Sequence, residues 1–128
     1  MNKILALIIG GAAGTLFRFW VSGWAHRLFA GVFPWGTLTV NLLGSFLIGF
    51  SWGIFERGNI SSNFRLFLFM GIFGGFTTFS AFALESLNLF KAGHVKFAII
   101  YILASNILGL LFVYLGYILA RWMALTNR

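Results

Sequence analysis

The sequence predicts an all-α integral membrane protein with four transmembrane helices per subunit, and three observations support this fold class. Hydrophobic residues make up 60% of the 128-residue chain and charged residues only 9%, whereas a soluble domain has about 25% charged residues. The apolar residues fall into four segments, each close to the ~20 residues that a helix needs to cross a bilayer. Only short connections remain between them. We therefore expect one transmembrane domain over residues 1–128 and no enzymatic activity.

The first two predicted helices span about residues 3–24 and 35–55. The first apolar run continues to Trp24, which is too long for a signal peptide, so we expect a retained helix. The second begins after Pro34, where a helix start tolerates proline, and it ends before a turn at residues 57–59. The tryptophans fall near the predicted helix ends, which is typical of membrane interfaces.

The third and fourth predicted helices span about residues 64–90 and 96–122. The third contains residues 71–86, an apolar stretch with two adjacent glycines, two adjacent threonines, a serine and a carboxylate. Glycine weakens a helix by about 1 kcal/mol relative to alanine, and threonine is stiff and β-branched. In a membrane protein this pattern predicts a helix broken at mid-membrane, where it must be buried in protein or line a cavity.

The basic residues divide almost equally between the two ends of the predicted helices. Those on the N-terminal side are Lys3, Arg57, Arg65, Arg121 and Arg128. Those on the opposite side are Arg27, Lys91 and Lys96, together with Arg18 if its side chain extends to that interface. Orientation depends on an excess of Lys and Arg on one side, and this division supplies almost none. It favours dual topology and an antiparallel homodimer, with a fixed orientation as the alternative. Charges scattered singly indicate anchors to the lipid bilayer and no nucleic-acid partner.

Small residues recur at the four-residue spacing that lets membrane helices approach closely. They are Gly10 and Gly14 on the first helix, Ser45, Gly49 and Gly53 on the second, and Gly71 and Gly75 on the third. We interpret all of them as packing positions and assign them no ligand.

Polar residues inside the predicted helices are candidates for function, because they are costly to place in a membrane. Asn41 offers two donors and one acceptor, with Thr37 one turn earlier; the alternative role is a hydrogen bond between helices. Tyr101, Ser105 and Asn106 lie in the fourth helix, and the first two share one face. Arg18 either extends to the interface or attracts anions. A path of neutral donors suits an ion that must be partly dehydrated and must also leave.

Glu85 and a series of phenylalanines complete the candidates. Glu85 is open to three interpretations: a proton-coupling site, a wall of a vestibule, or a carboxylate bonded to neighbouring hydroxyls. The phenylalanines recur every three residues on the third helix and are typical of packing, yet a ring edge is positive and would attract an anion without holding it tightly. They are Phe73, Phe76, Phe79 and Phe82.

Residues 74–82, Gly-Gly-Phe-Thr-Thr-Phe-Ser-Ala-Phe, resemble the Fluc (CrcB) family of fluoride channels. Residues 36–44 look like the second-helix motif of that family, and residues 10–14 followed by Arg18 look like its first helix. The distance from Phe82 to Glu85 also matches. The resemblance covers nearly the whole chain and implies an antiparallel homodimer with two fluoride pathways.

The resemblance also implies which residues form the site. Backbone carbonyls of Gly74 and Thr77 would bind a structural sodium ion, which is not transported, at the dimer centre. The fluoride pathway would consist of the rings of Phe79 and Phe82, the amide of Asn41, the hydroxyls of Ser80, Tyr101 and Ser105, and Arg18 near the vestibule. Many relatives have threonine in place of Ala81, so this chain lacks a hydroxyl there, and Phe76 stands where leucine is common.

The sequence therefore predicts a passive fluoride-selective channel in a prokaryotic plasma (inner) membrane, which would lower cytoplasmic fluoride toxicity. One alternative is a small multidrug-type cation exporter, which is also a four-helix dual-topology dimer. Such exporters resemble this chain less, because they use a carboxylate in the first helix and residues 4–24 contain no acid. The other alternative is a non-transporting membrane assembly subunit.

Overall fold

The computed structural model describes residues 2–127, and within that range the chain is helical with no β-strand. The helices are α1 (Lys3–Leu28), α2 (Trp35–Phe55), α3 (Ser62–Arg65), α4 (Gly74–Phe76), α5 (Phe79–Lys91) and α6 (Val95–Thr126), with a π-helix at Leu66–Phe73 between α3 and α4. Four stretches are long and apolar enough to cross a membrane: α1, α2, the third crossing Ser62–Lys91, and α6. This confirms the prediction of an all-helical chain with four membrane-spanning helices.

Two of the helices extend further than the sequence predicted. The Asn2 side chain caps α1 by accepting a hydrogen bond from the Ile4 N–H at 2.8 Å, and α1 continues to Leu28 rather than ending near Trp24. Similarly, α6 continues to Thr126 rather than ending near Trp122. Tryptophan marks the membrane interface but does not stop a helix, so each helix extends about one turn beyond the tryptophan. Arg128, counted above among the N-terminal-side charges, lies outside the described residues.

The third crossing is interrupted, as the sequence predicted. Thr77 and Thr78 both have extended backbone conformations, with φ −87° and ψ 158° at Thr77 and φ −147° and ψ 121° at Thr78. We call residues 62–76 the first half of this crossing and α5 the second half. The π-helix at Leu66–Phe73 lies in the first half, and its hydrogen bonds reach five residues back instead of four. Nothing in the sequence predicted this winding.

Glycines bring α1 against the first half of the third crossing. A Cβ atom built on Gly71 would lie 2.9 Å from Gly10 Cα, and one built on Gly75 would lie 2.7 Å from the Gly11 carbonyl oxygen. A Cβ on Gly14 would collide with the backbone carbonyl of Ile72. The two backbones therefore touch directly, and any side chain at these positions would push them apart. The packing role expected for Gly10, Gly14, Gly71 and Gly75 is confirmed.

The second close pair is α2 with α6. Gly49 faces the backbone of Val113, and Gly116 faces the Phe46 carbonyl, so neither position has room for a Cβ atom. Toward the opposite end from Lys3, a small core contains the fully buried Tyr101 together with Phe33, Leu38, Leu89 and Ala98. This arrangement holds the second half of the third crossing near α2 and α6, where the polar candidates lie.

Candidate functional site at the helix break

Asn41 of α2 satisfies the backbone that the break exposes. The Thr78 N–H donates to Asn41 Oδ1 at 2.8 Å, and Asn41 Nδ2 donates to the Thr78 carbonyl at 3.0 Å. A backbone donor and acceptor left unpaired in this setting would each cost several kcal/mol. The side-chain amide thus replaces the partners that a continuous helix would have provided, and one amide hydrogen of Asn41 remains for another acceptor.

The break leaves the last backbone carbonyls before it without their helical donors, and those of Gly74 and Thr77 are among them. In a continuous α-helix, the Gly74 carbonyl would accept from the Thr78 N–H and the Thr77 carbonyl from the Ala81 N–H. Here the Thr78 N–H donates to Asn41, and the Ala81 N–H donates to the Thr78 hydroxyl at 3.2 Å. Carbonyl oxygens freed in this way are suitable ligands for a hard cation such as sodium. The residues predicted to hold that ion therefore fit its chemistry.

Glu85 of α5 is held by two hydroxyl groups. Thr37 Oγ1 donates to one carboxylate oxygen at 2.7 Å, and the Tyr101 hydroxyl donates to the other at 2.8 Å. Of the three interpretations offered for Glu85, bonding to neighbouring hydroxyls is observed, and the carboxylate also lines two cavities described below. A tyrosine hydroxyl can donate only one hydrogen bond, and in this arrangement Tyr101 donates it to Glu85.

Aromatic rings continue from the break toward the core. The centroids of Phe79 and Phe82 are 5.7 Å apart, and those of Phe82 and Tyr101 are 5.1 Å apart with the planes tilted by 63°. Phe79 is 78% exposed, so its ring lies open beside the break. Phe79, Phe82 and Tyr101 therefore form a continuous series of rings, with an edge contact between Phe82 and Tyr101.

The remaining predicted residues lie in different settings. The Ser105 hydroxyl is buried and has no hydrogen-bond partner among residues 2–127, which is unusual because buried polar atoms are normally paired. Ser80 is exposed at the start of α5. Asn106 donates back to the Ile102 carbonyl of its own helix at 2.8 Å and is exposed. Within residues 2–127 the Ser105 hydroxyl is thus a buried donor without a partner, whereas the Asn106 amide is exposed and bonds within its own helix.

Two cavities meet the break from different sides. A cavity of about 250 Å³ is lined by Asn41, Gly44, Ser45, Ile48, Phe73, Thr77, Thr78 and Phe79. A larger one of about 490 Å³ is bounded by α1, α2 and α5 and includes Arg18, Thr37, Thr78, Ala81 and Glu85. Thr78 lines both cavities, whereas Asn41 lines the smaller one, so both cavities reach the residue whose backbone pairs with Asn41. Arg18 is half-buried and lines the larger cavity, and its role near a vestibule stays a prediction.

Sequence reasoning missed three residues of the larger cavity. Thr15, Ser22 and His26 line it together with Arg18. Their spacing along α1 is three, four and four residues, which places them on one helix face. The signal was present in the sequence as polar residues at helical spacing in an apolar segment, but only Arg18 was singled out because only it is always charged.

These features define a small polytopic membrane protein in which one helix is interrupted and polar groups converge on the interruption. The chain belongs to the CrcB-like protein, Camphor Resistance (CrcB) family, whose sequence profile matches residues 5–117. Similar curated proteins are named "Fluoride-specific ion channel FluC". One from Parabacteroides distasonis is 55% identical over 121 residues, covering 94% of each chain. One from Agrobacterium fabrum is 45% identical over 122 residues, covering 94% of this chain and 98% of its own.

A third relative with the same name, from Thermus thermophilus, is 44% identical over 117 residues and covers 91% of this chain and 92% of its own. The family resemblance inferred from residues 74–82, 36–44 and 10–14 is therefore confirmed, and so is the multi-pass membrane architecture. The comparisons do not favour the small multidrug-type exporter.

Proposed function

We propose that this protein is a fluoride-selective ion channel that allows passive fluoride export and so lowers cytoplasmic fluoride toxicity. The observation that carries this proposal is the pairing of Asn41 with Thr78 at the helix break, in a chain whose relatives are named fluoride-specific channels. A break that is stable and polar on both sides lets neutral groups line a path through an otherwise apolar bundle.

Selectivity would come from groups that suit a small, strongly hydrogen-bonding anion. Asn41 has one amide hydrogen free, the Ser105 hydroxyl is buried without a partner among residues 2–127, and the Phe79 ring is open beside the break. These neutral groups and the Phe82 ring edge would replace part of the hydration shell of fluoride. Chloride is larger and a weaker acceptor, so the same groups would compensate less of its dehydration.

A structural sodium ion fits the released carbonyls of Gly74 and Thr77, which would hold it together with the same carbonyls of a second subunit. Its charge would lower the cost of bringing an anion close to the break. In this proposal the sodium ion remains in place and is not transported.

An antiparallel homodimer is supported by the near-equal division of basic residues between the two ends. It is also supported by the exposure of Phe79 and of Gly74 beside the break, since a single subunit leaves this face of the pathway uncovered. We place the dimer in the inner membrane of a prokaryotic cell, with subunits inserted in both orientations.

The proposal is tested by fluoride efflux from liposomes that contain the purified protein, measured with a fluoride electrode and repeated with chloride. We expect fast fluoride flux, negligible chloride flux, and reduced fluoride flux in Phe79→Ile and Asn41→Asp. Absence of fluoride flux with sodium on both sides would refute the channel and favour a non-transporting assembly subunit. Orientation is read separately, by labelling single cysteines introduced at the two chain ends from one side of intact cells.

A further inference from the structure

The larger cavity at the break continues along one face of α1 toward the end of that helix. Six of its lining residues belong to α1, and four of them are polar or charged: Thr15, Arg18, Ser22 and His26. We call these four the α1 polar face. Opposite it lie Thr37 of α2 and Glu85 of α5. The cavity therefore joins the break, at Thr78, to the last turn of α1, where His26 is exposed.

The two fixed charges that line this cavity are opposite in sign, on Arg18 and Glu85, so one added positive charge would give the lining a net charge that favours an anion. Arg18 has no carboxylate within ion-pair distance among residues 2–127, although it is half-buried. Glu85 is the one acid among the lining residues, and it already accepts hydrogen bonds from Thr37 and Tyr101. The wall contributed by α2 carries no charge. Arg27 bonds to the Gly23 carbonyl of its own helix at 3.3 Å, so it adds positive charge near the opening.

His26 stands at the outer end of this face and Arg18 nearer the break. Histidine is the side chain whose ordinary charge change falls between pH 5 and 8. We infer that His26 is a protonatable anion-recruiting residue, which adds a second positive charge to the α1 polar face in acid and so raises the capture of a small anion by the cavity. This inference rests on the proposed fluoride channel, and it assigns a residue that the proposed pathway did not include.

The second histidine supplies a matched control. His94 lines a different cavity, of about 270 Å³, together with Val32, Pro34, Glu85, Asn88, Leu89 and Ala92. That cavity also reaches Glu85, but it includes neither Arg18 nor Thr78. Protonation of His94 would therefore place a charge at the same end of the protein without placing it on the route to the break.

The test is fluoride efflux at acidic and neutral pH, at low and at saturating fluoride, corrected for the leak of protein-free liposomes. At low fluoride we expect the rate of the natural protein to rise about two- to fourfold in acid, as one added charge beside an aqueous cavity provides. The saturated rate should stay constant, because capture and not passage is changed. His26→Gln should abolish the rise, and His94→Gln should retain it. A pH-independent rate, or a rise that survives in His26→Gln, would overturn the inference.

A second measurement does not depend on transport. The imidazole of His26 is titrated by nuclear magnetic resonance in the purified protein, with and without fluoride, using His94 as the internal reference. A fluoride-dependent rise in the titration midpoint of His26 alone supports the site, whereas unchanged or equal shifts refute it. If the natural protein transports no fluoride at any pH, the channel proposal fails. This titration still decides whether His26 lies at a site that binds fluoride.

Discussion

The two halves of the third membrane crossing are held in place by opposite means. Residues 62–76 lie against α1 through backbone contacts at Gly10, Gly14 and Gly71, with almost no polar side chain involved. The second half, α5, is attached instead by directed hydrogen bonds from Asn41 to Thr78 and from Thr37 and Tyr101 to Glu85.

This difference teaches how an apolar bundle can hold an open polar site. Close packing in the first half fixes one end of the crossing directly against the backbone of α1. Hydrogen bonds in the second half fix the other end beside two cavities, both of which are lined by Thr78. We expect the first half to be sensitive to side-chain size and the second half to be sensitive to hydrogen-bonding capacity.

The largest effect is expected for Gly14→Ala in the tightly packed half. The added methyl group would collide with the Ile72 carbonyl and lie 2.9 Å from the Phe76 nitrogen. Because backbone cannot yield as a flexible side chain does, we expect destabilisation of about 3 kcal/mol, measured by thermal or denaturant unfolding of the purified protein. Gly11→Ala is the control, since a Cβ there meets nothing within 4 Å. Equal effects of the two changes would contradict the packing account.

Asn41→Ala should have the next largest effect, and it acts on the polar half. The change leaves the Thr78 N–H and carbonyl without their partners, so we expect about 2 kcal/mol of destabilisation and a loss of most fluoride flux. Asn106→Ala removes an exposed amide that bonds only within its own helix, and both properties should stay near those of the natural protein. If Asn41→Ala retained full stability, the break would be held by something other than this pair.

Glu85→Gln tests whether two hydroxyl bonds are needed at one carboxylate. Glutamine offers a single acceptor oxygen, so either Thr37 or Tyr101 loses its acceptor, at an expected cost of about 1 kcal/mol. In Glu56→Gln the single bond accepted from the Tyr117 hydroxyl can be kept. The unfolding free energy should therefore fall more for the first change than for the second, and the reverse order would disprove the two-bond interpretation.

The smallest effect on stability is expected for Ser105→Ala. This change tests whether a residue of the polar half can matter for fluoride flux without contributing to folding. Its buried hydroxyl bonds to no group among residues 2–127, so removal should change the unfolding free energy by less than about 0.5 kcal/mol. Fluoride flux should nevertheless fall several-fold. Ser86→Ala, whose hydroxyl donates to the Phe82 carbonyl at 2.8 Å, should show a larger loss of stability and little loss of flux. Unchanged flux in Ser105→Ala would exclude that hydroxyl from the pathway.

Much of the fold could be predicted from local sequence. Glycine spacing predicted the close packing of α1 on the third crossing, and the adjacent threonines at 77 and 78 predicted the break. Both signals depend on residues that are near one another in the chain. The π-helix at Leu66–Phe73 could not be predicted, because its uniformly apolar sequence gives no preference for one winding over another.

The hydrogen-bond partners within the site were harder to predict from the sequence. Asn41 was identified as a candidate, but its bond to Thr78 joins residues 37 positions apart, and the bond from Thr37 to Glu85 joins residues 48 positions apart. Such pairs depend on how the helices are oriented, which no single segment specifies. The α1 polar face was visible in the spacing of its residues, and it was missed because hydroxyls and histidine were given less weight than Arg18.

The π-helix has a consequence for insertions and deletions. Each residue of an α-helix advances the chain by about 100° around its axis, since a turn takes 3.6 residues. The wider winding of Leu66–Phe73 therefore helps to set the position around the helix axis from which the chain continues to Thr78 and Glu85. Removing one residue there would leave the crossing long enough for a bilayer but would turn α5 away from its partners.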